Sequence, residues 1–240
     1  MKRLVFTLAA TALCGVTSGV AHAQVPSGQP PETTLQASSG GALPRFSVEG
    51  FVHTGYLRGD GYALVSQNPS LQGGGLGAQV RVVSAGRVGL SLGGVLASAK
   101  SESAWERDTT SFEETNVALG AVVDVLLVRH LRPYVQLQGG MSFADVSLGY
   151  GASALRDDVS LPFGTASGGV RAVTTSKVWW PGGPTLAFSA FVEGGYTVAG
   201  SYDFRVAPSV GPDELPTGAV PLGSLARSRA HSRLGLALHF

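Results

Sequence analysis

The sequence predicts an all-β chain: an eight-stranded antiparallel up-and-down transmembrane β-barrel with short periplasmic turns and long extracellular loops. Three observations carry that expectation. Apolar residues alternate with polar or small ones in eight segments between Arg45 and Phe240, and a period of two is the strand signature. The connections between the segments alternate strictly between long and short. Mean hydropathy is positive, at +0.20. Yet beyond the N-terminal segment the longest apolar run is Val117 to Val128, broken by Asp124, well short of the about 20 residues of a membrane helix.

The first 23 residues read as a signal peptide. Met1-Lys2-Arg3 is followed by an apolar stretch to about Val20, then by Ala21-His22-Ala23, which is the charged, apolar and small-x-small pattern of secretory signals. A membrane anchor is the competing reading, but Thr7, Thr11, Gly15, Thr17 and Ser18 break the stretch. Cys14 lies inside it, preceded by a bulky Leu13 that fits lipidation poorly. The exported chain would therefore contain no cysteine, disulfide or thiol chemistry. Residues 24–44 are rich in Pro, Gly, Ser and Thr and read as a flexible periplasmic leader, leaving 45–240 for the barrel.

The eight segments follow in order. The first, Phe46 to Leu57, sets Phe46, Val48, Val52 and Tyr56 against Glu49, His53 and Gly55. Gly74 to Ser84 sets Leu76, Val80 and Val82 against Gln79 and Arg81; Arg87 to Ala99 sets Val88, Leu90, Leu92 and Leu96 against Gly89, Ser91 and Gly93. Glu114 to Val128 opposes Val117, Leu119, Val123 and Val125 to Gly120 and Asp124. Pro133 to Ala144 opposes Val135, Leu137, Met141 and Phe143 to Gln136, Gln138 and Gly140. Ala166 to Lys177 carries Val170 and Ala172 against Arg171. Thr185 to Ala199 carries Phe188, Val192, Tyr196 and Val198 against Ser189 and Glu193. The last, Ser228 to Phe240, sets Leu234, Leu236, Leu238 and Phe240 against Arg229, His231, Arg233 and His239.

Long connections follow the first, third, fifth and seventh segments: Arg58 to Gly73, Lys100 to Glu113, Asp145 to Thr165 and Gly200 to Arg227. The others are short, including a tight turn at Ser84-Ala85-Gly86-Arg87. This asymmetry belongs to outer-membrane barrels; a secreted β-sandwich, the competing class, has no reason for it. Segment lengths of about 11 to 14 residues also suit a tilted crossing, which needs roughly 9 to 11.

In a membrane barrel the apolar face turns outward. Aromatics gather near the segment ends, and they predict two interfacial girdles. Phe46, Tyr134, Trp179, Trp180, Phe188 and Phe240 fall near the short turns; Tyr56, Phe143 and Tyr196, with Phe112 and Tyr202, fall near the long connections. Phe51 fits less easily, since it lies on the interior face. Charges on that face must be paired in so narrow a lumen. An internal cluster of Glu193, Arg171 and Arg233, with Glu49, His53 and Arg229 nearby, is the resulting expectation.

The closing run Leu234-Gly235-Leu236-Ala237-Leu238-His239-Phe240 resembles the signal read by the outer-membrane assembly machinery. Leu131-Arg132-Pro133-Tyr134-Val135-Gln136-Leu137-Gln138-Gly139-Gly140 is similar to the turn, Pro-Tyr and Gly-rich strand of small barrels. With the eight segments, the chain from Arg45 to Phe240 resembles the OmpA/OmpX-type superfamily, without a periplasmic OmpA-like domain. The resemblance implies residence in the Gram-negative outer membrane and contact with its lipids and lipopolysaccharide. It implies little about activity.

Three roles then stand open: a monomeric structural or surface-interaction barrel, a narrow pore for small solutes, and a lipid-modifying enzyme. The first is favoured. A Ser-His-acid set is not legible, because His231 and Ser232 are neighbours and face opposite ways. The sequence offers no metal spacing, phosphate loop or cofactor motif. Without Lys2 and Arg3 the balance is 15 basic to 16 acidic residues, which argues against a nucleic-acid partner. Lys100, Glu102, Glu106, Arg107, Asp108, Glu113 and Glu114 make the second long connection the most charged, a candidate for lipopolysaccharide or a partner.

Overall fold

The computed structural model describes residues 43–56, 70–105, 108–150, 153–174, 177–178, 183–208 and 220–240. The signal peptide, most of the leader, Trp179 and Trp180 lie outside these residues.

Eleven strands build eight staves. They are β1 (Phe46–Tyr56), β2 (Ser70–Ala85), β3 (Val88–Trp105), β4 (Asp108–Val125), β5 (Leu131–Tyr150), β6 (Ser153–Val173), the two-residue β7 (Lys177–Val178), β8 (Thr185–Ala199), β9 (Ser201–Pro208), β10 (Val220–Ala226) and β11 (Arg229–His239). Pairing runs antiparallel from β1 through β6, from β6 to β8, from β8 to β11, and from β11 back to β1. The sheet is thus an eight-stranded closed barrel with no free edge in its main body. β9 and β10 pair with each other and continue the staves of β8 and β11.

Alternation fixes which face each residue takes. Val48, Val52, Leu76, Leu92, Leu96, Leu119, Val123, Leu137, Val192, Leu234 and Leu236 point outward and are exposed. Glu49, Phe51, Gln79, Asp124, Gln136, Arg171, Glu193, Arg229 and His231 point inward and are buried. The outward apolar belt is bordered by Phe46, Phe188 and Phe240 at the short-turn end and by Tyr56, Phe143 and Tyr196 at the other, all exposed. Phe46 and Phe240 stack at 6.1 Å and join the first and last staves.

Two details correct the sequence reading. Three of the four long connections are largely sheet: β3 to β6 run 18, 18, 20 and 21 residues, and β9–β10 occupies much of Gly200 to Arg227. An antiparallel ladder continues past the belt because its backbone bonds do not depend on side-chain polarity. Second, the polarity pattern inverts there. Phe143 is exposed and Ala144 buried within the belt's last row; two residues on, Asp145 is exposed and Val146 buried, with Ser147 and Leu148 following the same parity. Above the belt the outward face holds Gln72, Lys100, Glu113, Asp145 and Asp158, which lie side by side on β2 to β6.

The inward face at that level is apolar. Leu71, Phe112, Val146, Tyr202, Phe204 and Leu225 pack with Leu148, Val159 and Leu161. Phe112 and Tyr202, expected in a girdle, are therefore core residues, and Phe112 meets Phe204 edge-on at 6.3 Å. Tyr202 shares a 2.6 Å hydrogen bond with Ser142.

The local geometry follows the sequence. The β2–β3 hairpin turns on Gly86-Arg87, between paired Ala85 and Val88. Gly86 has φ +58°, a conformation that costs glycine nothing. At Gly200 the inward parity shifts from Thr197 to Tyr202. The Ala199 N–H donates to Ser228 Oγ at 3.1 Å, and that hydroxyl donates to the Ala199 carbonyl at 2.9 Å. Ser228 thus occupies the backbone groups that a bulge leaves unpaired.

Candidate functional site: the charged interior

The interior is layered. At the short-turn end Leu43, Val173 and Ala187 pack together. Arg81 and Arg132 then converge on Asp124, at 2.7 and 2.6 Å. The sequence reading left Arg132 in a turn; its parity with Gln136 and Gln138 turns it inward, where it is buried. Ser189 and His239 share a 2.8 Å bond nearby. Both are buried, so this Ser-His contact lies inside the wall of the barrel.

The middle layer holds two carboxylates. Glu49 accepts from Gln79 at 3.0 Å and from Arg171 at 3.3 Å. Arg171 lies over the rings of Tyr134 and Phe191, at 5.2 and 5.6 Å. Glu193 accepts from the Tyr134 hydroxyl at 3.0 Å and faces Arg233 at 3.4 Å and His231 at 3.8 Å. Arg233 lies over Phe51 at 5.0 Å. Phe51 is therefore an aromatic platform for a guanidinium, a cation–π contact strongest where water is excluded.

The upper layer centres on Glu114, which is fully buried. Arg229 grips it through two 2.8 Å bonds, and Arg227 adds a third at 2.9 Å. Arg227 also bonds Asn116 and stacks on Phe163 at 4.4 Å. Small residues make this possible: a Cβ on Gly55 would stand 2.7 Å from Arg229, and one on Gly77 2.7 Å from Glu49.

Each anticipated residue has a place. Glu193, Arg233 and His53 are direct register neighbours across β8, β11 and β1. Arg171 pairs in register with Phe191, two residues below Glu193, and bonds Glu49 instead. Arg229 belongs to Glu114. So the expected cluster is only partly split: Glu49, Arg171, Glu193 and Arg233 share the middle layer as two pairs, and Arg229 stands in the layer above. Tyr134, expected in the short-turn girdle, is a correction: its even parity on β5 turns it inward, and it is buried against Glu193. Arg227 was missed because it lay in a segment taken for a loop, and Glu114, the first residue of its strand segment, because it was counted with the charges of the preceding connection. The inward parity of Glu114, Asn116 and Ala118 was the available signal.

Replacing Glu193 by leucine leaves Arg233 with Gln138 at 3.4 Å and removes the acceptor of Tyr134. The expected loss is about 1–3 kcal/mol, read as a lower denaturation midpoint in detergent. Tyr134→Phe should lose less, since it strands only one acceptor site.

No family model matches the chain, and no curated protein matches it. Solved structures similar to it are small barrels. Neisserial surface protein A is 15% identical, with 81% of this chain and 96% of that chain covered and a TM-score of 0.49. Ail of Yersinia pestis is 14% identical, covering 83% and 100%, with a TM-score of 0.45. The outer membrane protease OmpT of Escherichia coli is 8% identical, covering 82% and 95%, also at 0.45.

Proposed function

We propose that the chain is an outer-membrane barrel whose role is structural and surface-interacting: a filled stave assembly that holds its β3–β4, β5–β6 and β9–β10 hairpins beyond the lipid. The observation that carries this reading is the inversion of polarity across the row Gln72, Lys100, Glu113, Asp145 and Asp158. Below it the outward face is apolar; above it the outward face is polar and the large apolar side chains turn inward, as in a water-soluble protein. A hydrocarbon layer ending at that row accounts for both halves, since lipid-facing positions must be apolar only within the bilayer. Lys100, Arg156 and Arg205 are exposed beside or above the row. That is the height of lipopolysaccharide phosphates, which we take as the partner of this rim.

A pore is disfavoured by the paired charges within and the aromatic core above them. In planar bilayers the protein should give no stable, reproducible conductance steps; steps that recur at one amplitude would favour the pore. In cell fractionation it should sediment with outer membrane, and recovery in the soluble periplasmic fraction would refute the placement.

A further inference from the structure

Between the Glu193 layer and the Glu114 layer lies a cavity of about 40 Å³, lined among others by Arg227, Arg229, Arg233, His53, His231 and Asn116. Three guanidiniums face it, against two carboxylates, because Arg227 and Arg229 share Glu114 while Arg233 takes Glu193. Donors remain unused. Arg227 is 2% exposed, yet its Nε and Nη1 have no hydrogen-bond partner among the described residues. His53 Nδ1 is likewise buried without one, and His231 Nε2 has nothing nearer than Glu193 Oε1 at 3.8 Å. A buried, uncompensated cation is strongly disfavoured, and unfilled guanidinium donors compound the cost. A neutral imidazole cannot balance the charge. The volume suits two or three waters, or one monatomic anion with water beside it.

We propose that this cavity binds a single small inorganic anion of chloride size, held chiefly by Arg227 with help from the neighbouring guanidiniums and imidazoles. Such an anion supplies the missing negative charge and accepts from the unfilled donors at once. It is a structural counterion, part of the folded barrel.

The test uses the purified wild-type barrel in detergent, with bromide as probe. Crystals grown with bromide in place of chloride should show an anomalous peak in the cavity beside the Arg227 guanidinium. In solution, Tm should be higher in sodium chloride or bromide than in sodium gluconate of equal ionic strength, rising with the logarithm of halide concentration. Arg227→Met should abolish that dependence. If the variant does not fold, the wild-type bromide map decides alone. A cavity holding only water in bromide-grown crystals overturns the proposal, as does a wild-type Tm equal in halide and gluconate.

Discussion

Glu114→Leu should be the most damaging single polar substitution in the interior, lowering stability by about 3–5 kcal/mol. The carboxylate is fully buried and receives Arg227 and both arms of the Arg229 fork. Removing it strands two buried guanidiniums, and the stranded charge costs more than the lost attraction. The measurement is the denaturant midpoint in detergent, followed by tryptophan fluorescence or electrophoretic mobility of the folded band. A control separates charge from packing: Glu114→Leu combined with Arg227→Met and Arg229→Leu should recover much of the loss, because an apolar replacement of a whole ion cluster is often neutral or better. Near-wild-type stability for Glu114→Leu alone would contradict the layered interior.

Leu236→Arg is the second large effect, expected at about 2 kcal/mol for a cation between the bilayer midplane and its inner border. Leu236 is 70% exposed, so in water the change would be nearly harmless, within about 0.5 kcal/mol. It pairs with Gly50 and Ala190 inside the belt, two residues from the Phe188 row and six from the Tyr196 row. Ser224→Arg, on the exposed outer face of β10, is the comparison and should change little. Folding into liposomes at graded denaturant measures both. Equal, small effects at the two positions would mean that the belt does not contact hydrocarbon.

Much of the fold was legible because strand parity has a period of two. Once Leu234, Leu236 and Leu238 face one way, Arg229, His231 and Arg233 must face the other, and the same logic orients all eight staves. Parity says nothing about height, which depends on shear. That is why Arg171 meets Glu49 and not Glu193, although all three were recognised as interior. The hairpin ends were harder to read, because the pattern there changes phase. From Phe143 to Leu148 the alternation continues, but the apolar residues pass from the outer to the inner face, and only the expectation of a belt edge distinguishes this from a loop. Arg227 keeps the inward parity of Arg229 and His231; it was missed because the last segment was started at Ser228, one residue too late. Tyr134 followed parity throughout; its proximity to a turn outweighed that signal.

The central claim is that the outward face meets lipid while the inward face is filled. Single cysteines test both halves, because Cys14 is the only native one and it precedes the barrel. In liposomes a water-soluble maleimide should label Ser224→Cys, above the belt, but neither Leu236→Cys on the outer face nor Ala237→Cys on the inner face until the protein is denatured. Labelling of Leu236→Cys in the folded protein would place the belt in water. Labelling of Ala237→Cys would open the interior to solvent, and either result would contradict the account.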